Sequence, residues 1–151
     1  MSETMGIETC FCDLYGQISL NIKPVLYAKH VRDFAALSKV ISDKEQEYVL
    51  VFAVRDDRTV TSGTVVAIGH RDVTTFPVAS LFKAAIASGA AGIVVVHNHP
   101  SGSLKISKLD KKSLKVWQKA GKLLDIPVIA ALIVAKKRWA AYSEPGKRGR
   151  L

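Results

Sequence analysis

Three short runs leave this chain few ways to fold. Tyr48 to Val54, Ala91 to Val96 and Ile126 to Val134 are apolar at nearly every position and rich in β-formers. A run that does not alternate predicts a strand buried on both faces, so these three belong inside a sheet whose faces are covered. No run approaches the ~18 residues that span a bilayer. The start Met1-Ser2-Glu3-Thr4 lacks the basic and apolar parts of a signal peptide. A cytoplasmic protein that does not enter a membrane is expected.

Weaker signals fill in the remaining elements. Residues 7–22 alternate and predict a hairpin turning near Tyr15-Gly16, with Cys10 and Cys12 as small buried side chains rather than a zinc pair. Apolar positions from Val25 to Val40 fit a helical stripe after Pro24, with His30 off that stripe. Arg55 to Arg58 reads as a turn and Thr59 to Ile68 as the returning strand, with Gly63 as a bulge. Pro77 to Ser88 predicts a helix with Leu81, Phe82, Ala85 and Ile86 inward and Gly89 as its stop. A further helix from Ser107 places Leu109, Val116, Trp117, Ala120, Leu123 and Leu124 on one side. Lys136-Lys137-Arg138 turns the chain into Trp139 to Tyr142, and a basic tail over 145–151 reads as frayed. Hydrophobic residues form 48% of 151, and a chain of that length buries roughly 70% of its unfolded surface. One domain over 1–151 is expected, with no metal or disulfide needed to hold it.

The chemistry gathers at His97-Asn98-His99-Pro100-Ser101-Gly102, with Ser107 and Asp110 downstream. Alternation along a strand puts His97 and His99 on one face, roughly 7 Å apart at the backbone, so two imidazoles can converge on one ion. Ser107-x-x-Asp110 resembles a capping box, which sets Asp110 in the first turn of the next helix, facing the histidine loop. Asp110 can then supply a third ligand of the kind a catalytic zinc takes. Ser101 or, better, Ser107 could donate to a carbonyl oxygen that gains charge. Spacing alone also allows two ordinary polar residues at a strand end. His70, flanked by charge, reads as a surface loop residue, and neither it nor His30 is assigned to a metal.

His97-Asn98-His99-Pro100-Ser101-Gly102 with Ser107 and Asp110 resembles the JAMM motif of JAB/MPN-domain metalloproteins, and in particular its wording in the RadC family. The resemblance covers about 24–144, including Glu47 and the strand after it, Gly63-Thr64, Leu81 to Ala87, Ala90 to Val96 and Tyr142-Ser143. It implies an α/β fold of mixed type: one JAB/MPN domain with a central mixed sheet flanked by helices, layered like a cytidine deaminase. It implies one zinc ion held by His97, His99 and Asp110, with a glutamate ahead of the first core strand as general base. Glu47 matches that base, with Glu45 two residues earlier as the alternative. The implied activity is hydrolysis of a peptide or isopeptide bond by a zinc-activated water, with Ser107 steadying the oxyanion. Two departures stand out. Members commonly carry Asp-His where this chain has Ala130-Ala131, and residues 64–77 look longer than usual. Full-length relatives also have an N-terminal helical region of DNA-binding type, which these residues do not contain.

The formal charge of +9 makes an acidic partner plausible, nucleic acid first. Lys108, Lys111, Lys115 and Lys119, with Lys105, Lys112 and Lys122, are spaced to form an exposed ridge on the helix from Ser107, and they mark a candidate DNA contact. Trp117 falls on the buried stripe of that helix, which leaves Trp139 as the candidate for base stacking. A DNA-associated module for repair, recombination or a mobile element, with zinc structural or weakly catalytic, is the alternative to a hydrolase.

Overall fold

A computed structural model describes residues 10–12, 18–20, 26–28, 30–69, 77–143 and 146–151. In chain order the elements are β1 (Cys10–Cys12), β2 (Ile18–Leu20), β3 (Leu26–Tyr27), α1 (Val31–Leu37), α2 (Lys39–Ser42), β4 (Tyr48–Val54), β5 (Thr59–Ile68), α3 (Ala79–Ser88), β6 (Gly92–Asn98), α4 (Lys108–Leu124), β7 (Val128–Ala135), β8 (Arg138–Ala141) and β9 (Arg148–Arg150). They form one mixed sheet in the order β1-β2-β5-β4-β6-β7-β8-β9, with β3 also on β5. Among the described residues only the β6–β7 pair is parallel, and α4 is its crossover.

Alternation along the central strands sorts their side chains into two cores. Leu50, Phe52, Val54, Val94 and Val96 meet Phe34 and Leu37 of α1 and Ile41 of α2 on one face. Val49, Val51, Ile93 and Val95 meet Leu81 and Phe82 of α3 and Trp117 of α4 on the other. The sheet is thus covered on both sides, as its unalternating strands require. His97 shares the parity of Ile93 and Val95, which aims it at α4.

Several elements differ from the sequence reading. The stripe from Val25 to Val40 is not one helix: Leu26 and Tyr27 pair with Val60 and Thr59 in the sheet. His30 caps α1, its amide donating to the Asp33 carboxylate at 2.8 Å. At Ser38 the hydroxyl donates to the Phe34 carbonyl at 2.7 Å, and the helix ends and restarts as α2. Gly63 is no bulge, since it pairs with Phe52; the β4–β5 register slips instead at Thr61 and Val66. In α3, Leu81, Phe82 and Ala85 face inward, but Ile86 is 59% exposed. Cys10 and Cys12 pair with Leu20 and Ile18 as the two arms of the expected hairpin. The turn between them, their side chains and His70 lie outside the described residues, as does most of the 64–77 stretch.

The phase of α4 also differs. Its buried residues are Asp110, Ser113, Leu114, Trp117 and Gly121, whereas Val116, Leu123 and Leu124 are exposed. Asp110 shares its buried face with Leu114 and Trp117, and the exposed leucines lie in the last turn. The tail is not frayed, because Arg148 and Arg150 pair with Ala140 and Arg138 of β8. Trp139 is 7% exposed beneath it, too buried to stack on a base. Among the described residues no helix is long and apolar enough to cross a membrane.

Gly121 lets the chain leave α4 directly beneath the helix. A Cβ at this position would lie 2.5 Å from the Ile126 carbonyl oxygen. Helix propensity alone says that Gly121→Ala gains about 1 kcal/mol; the clash should reverse the sign and destabilise the chain by about 1–3 kcal/mol. Urea unfolding midpoints of the two proteins decide between them.

Candidate metal centre

The β4–β6 register builds the site. Val49 pairs with His97, so continuing the antiparallel count sets Glu47 opposite His99. His97 and His99 point the same way from the end of β6, and their Nε2 atoms are 3.1 Å apart. His97 is fully buried and packs edge-on against the Tyr142 ring, with centroids 5.5 Å apart. Ser107 accepts the Asp110 amide at 3.0 Å and donates its own amide to Asp110 Oδ2 at 2.7 Å, a complete capping box. The box locks Asp110 toward β6, where Oδ1 lies 3.1 Å from His97 Nε2 and Oδ2 3.7 Å from His99 Nε2.

Glu47 reaches the imidazole pair from the β4 side. Its carboxylate and the two imidazoles present ligand atoms that all lie within 4.8 Å of one another, so Glu47, His97 and His99 could hold a metal ion. Asp110 lies outside that triplet but contacts both histidines from α4. Tetrahedral zinc with bonds near 2.0–2.1 Å separates its ligand atoms by roughly 3.3 Å, close to the 3.1–3.7 Å seen among His97, His99 and Asp110. Ring chemistry agrees for His99. Its Nδ1 is 2.8 Å from the Ser103 carbonyl oxygen, which can only accept, so Nδ1 carries the proton and Nε2 offers its lone pair inward. His97 Nδ1 has no hydrogen-bond partner among the described residues, and the Tyr142 ring holds its orientation instead.

Burial and neighbouring charges shift two of these groups and Tyr142. Burial and the neighbouring His97 charge lower the His99 pKa, outweighing the Ser103 carbonyl and Asp110. Burial works to raise the Asp110 carboxyl, yet the hydrogen bond and charge of His97, with the Ser107 bonds, hold it well below the carboxylate range. Burial, then the Asp110 and Glu47 charges, push the Tyr142 hydroxyl up. Near neutral pH the cluster therefore presents a neutral His99 and an ionised Asp110 to the same point.

Asn98 is the residue that sequence reasoning passed over. It lies between the two histidines, fully buried, on the opposite side of β6. Its Oδ1 accepts the Tyr48 amide at 2.6 Å, and its Nδ2 donates to the Gln46 and Lys44 carbonyls at 2.9 and 3.3 Å. One amide side chain thus ties down the loop that carries Glu47. A polar residue inside a buried strand was the available signal, but the spacing argument used only its neighbours. Glu45 stays exposed on the wall of the cleft, of about 930 Å³, that leads to His99. Ser107, Lys105 and Lys108 line the same cleft. Lys111, Lys115 and Lys119 are exposed along α4, away from the imidazoles.

A mixed, helix-covered sheet with two imidazoles and two carboxylates gathered at a strand end is an α/β domain with a group of residues that could hold a metal ion. Residues 28–147 match the model of the RadC-like JAB domain, and the chain belongs to that family. It is 31% identical over 113 residues to a UPF0758 protein of Chlorobium chlorochromatii, an overlap of 75% of this chain and 51% of that one. A UPF0758 protein of Chloroflexus aurantiacus is 35% identical over 115 residues, covering 76% and 50%. The chain thus spans about half the length of the curated relatives it matches.

Asn98→Ala should leave three part-buried backbone groups without their partner and cost about 1–3 kcal/mol. Hydrogen exchange read by residue should show the Tyr48 amide losing protection far more than the amides of β7. Unchanged exchange at Tyr48 would mean that the loop is held without Asn98.

Proposed function

We propose that this chain is a zinc-dependent hydrolase of the cytoplasm acting on a peptide or isopeptide bond. The convergence of His97, His99 and Asp110, with Glu47 on the opposite side, is the observation that carries the reading. In it His97, His99 and Asp110 are the metal ligands. Zinc bound there would act as a Lewis acid and lower the pKa of water toward ~7. Glu47, half-buried at the mouth of β4, takes the proton of the attacking water and delivers it to the leaving amine. The Ser107 hydroxyl accepts the Asp110 amide through its oxygen, so its own hydrogen is available to the substrate carbonyl oxygen as that oxygen gains charge. Asn98 keeps Glu47 in place by fixing the backbone on both sides of it.

Purified protein should carry one zinc per chain by elemental analysis, and His97→Ala or Asp110→Ala should abolish it. Glu47→Gln should keep the zinc while turnover of a peptide and isopeptide panel falls about 10²–10⁴-fold. Loss of zinc from Glu47→Gln would make Glu47 a ligand rather than the base, and unchanged turnover would remove it from the chemistry.

A second reading, a DNA-associated module, is favoured by α4 itself. Lys108, Lys111, Lys115 and Lys119 are all exposed there, and Asp110, the acidic residue in the helix's first turn, is buried toward β6. Neutralising Lys111, Lys115 and Lys119 together should weaken binding to duplex DNA regardless of sequence and lower the salt slope by about three. A slope that does not move excludes this face.

A further inference from the structure

The loop that follows His99 is held by a second turn, the one between β7 and β8. Lys136 and Lys137 alone join these strands, since Ala135 pairs with Arg138. Both lysines have positive φ, +43° and +63°, as a two-residue hairpin turn of this hand requires. Glycine and asparagine take that conformation with least strain, and lysine does not. Strain of this kind persists where the surroundings over-determine it, and it collects at functional sites.

What this turn touches is Gly102, at the end of the histidine motif. Gly102 has φ +81°, and a Cβ there would come 2.8 Å from Lys136 Cδ and 2.9 Å from its Cε, so the lysine stem lies against bare backbone. Asparagine, which suits such a turn, lacks the Cδ and Cε that make this contact. Arg138 Nη2 donates to the Gly102 carbonyl at 2.9 Å. The Lys136 amide donates to the Ser42 carbonyl at 3.3 Å, which fastens the turn to the end of α2.

From Gly102 the hold passes to an imidazole. The Gly102 amide donates to the His99 carbonyl at 3.0 Å and closes the Pro100-Ser101 turn. Ser103, the next residue, offers its carbonyl to His99 Nδ1 at 2.8 Å, and that bond decides which ring nitrogen carries the proton. A carbonyl on a loop stays aimed only while the loop is fixed, and Lys136 and Arg138 supply contacts from outside it. Neither side chain belongs to the group that could hold a metal ion.

We propose that Arg138 and Lys136 are positioning residues for His99: by fixing Gly102 they hold the Ser103 carbonyl on Nδ1 and keep Nε2 turned toward His97 and Asp110. The role rests on the reading of His99 as a zinc ligand, and two measurements keep the two apart. One is zinc affinity, by competition with a chromophoric chelator. The other is the His99 tautomer in the metal-free full chain, from long-range proton–nitrogen NMR spectra at alkaline pH, where the ring is neutral. Arg138→Ala should weaken zinc binding about tenfold, as loss of an outer partner of a ligand does, and should populate the tautomer with its proton on Nε2. Arg138→Lys keeps a donor in reach of the carbonyl and should bring affinity back to within about threefold of the parent. Lys136→Asn should hold or raise the thermal midpoint, because the turn is relieved, while zinc affinity falls about threefold to tenfold. A merely structural residue would move stability and affinity in the same direction. The proposal is overturned if the His99 tautomer in Arg138→Ala is that of the parent, or if Arg138→Ala and Lys136→Asn both bind zinc as the parent does. A parent protein that binds no zinc would overturn the reading of the centre instead, and the tautomer would still decide the role of Arg138.

Discussion

Val49 pairs with His97 across the β4–β6 ladder, and the geometry of the candidate centre follows from that one register. A slip of one residue would send the imidazoles into the α1 face and Asn98 into the α4 face, because successive side chains alternate. The register is secured twice. Apolar residues of β4 and β6 divide cleanly between the two cores, and Asn98 binds three backbone groups of residues 44–48. Packing thus sets which face the histidines take, and one amide sets how closely Glu47 follows.

The helix opposite is placed by a polar constraint as much as by an apolar one. The Ser107 capping box directs Asp110 toward the sheet, on the same face as Leu114 and Trp117. Trp117 and Leu114 still bury, but Leu123 is left 87% exposed. An apolar count along the helix therefore predicts its existence well and its phase poorly.

Charge is distributed over both faces of the sheet. The lysines of α4 lie on the side of the His97–His99 cluster, and Arg32 and Arg58 line a cleft that opens over α1 on the other. An excess of nine positive charges is therefore not one patch.

The sequence by itself determined the buried strands, the histidine pair on one strand face, the capping serine and the nearby carboxylate. All of these depend on periodicity or on spacing within a few residues, which a linear chain displays. The tertiary structure decided the rest. It split the predicted first helix, since Leu26 and Tyr27 found strand partners in β5. It folded the basic tail into β9 and buried Trp139 beneath it. It brought Glu47 to histidines fifty residues away and gave Asn98 the task of holding it there. Strand pairing over that distance depends on which long-range contacts satisfy the most backbone groups and bury the most apolar surface at once, and no local pattern encodes that choice.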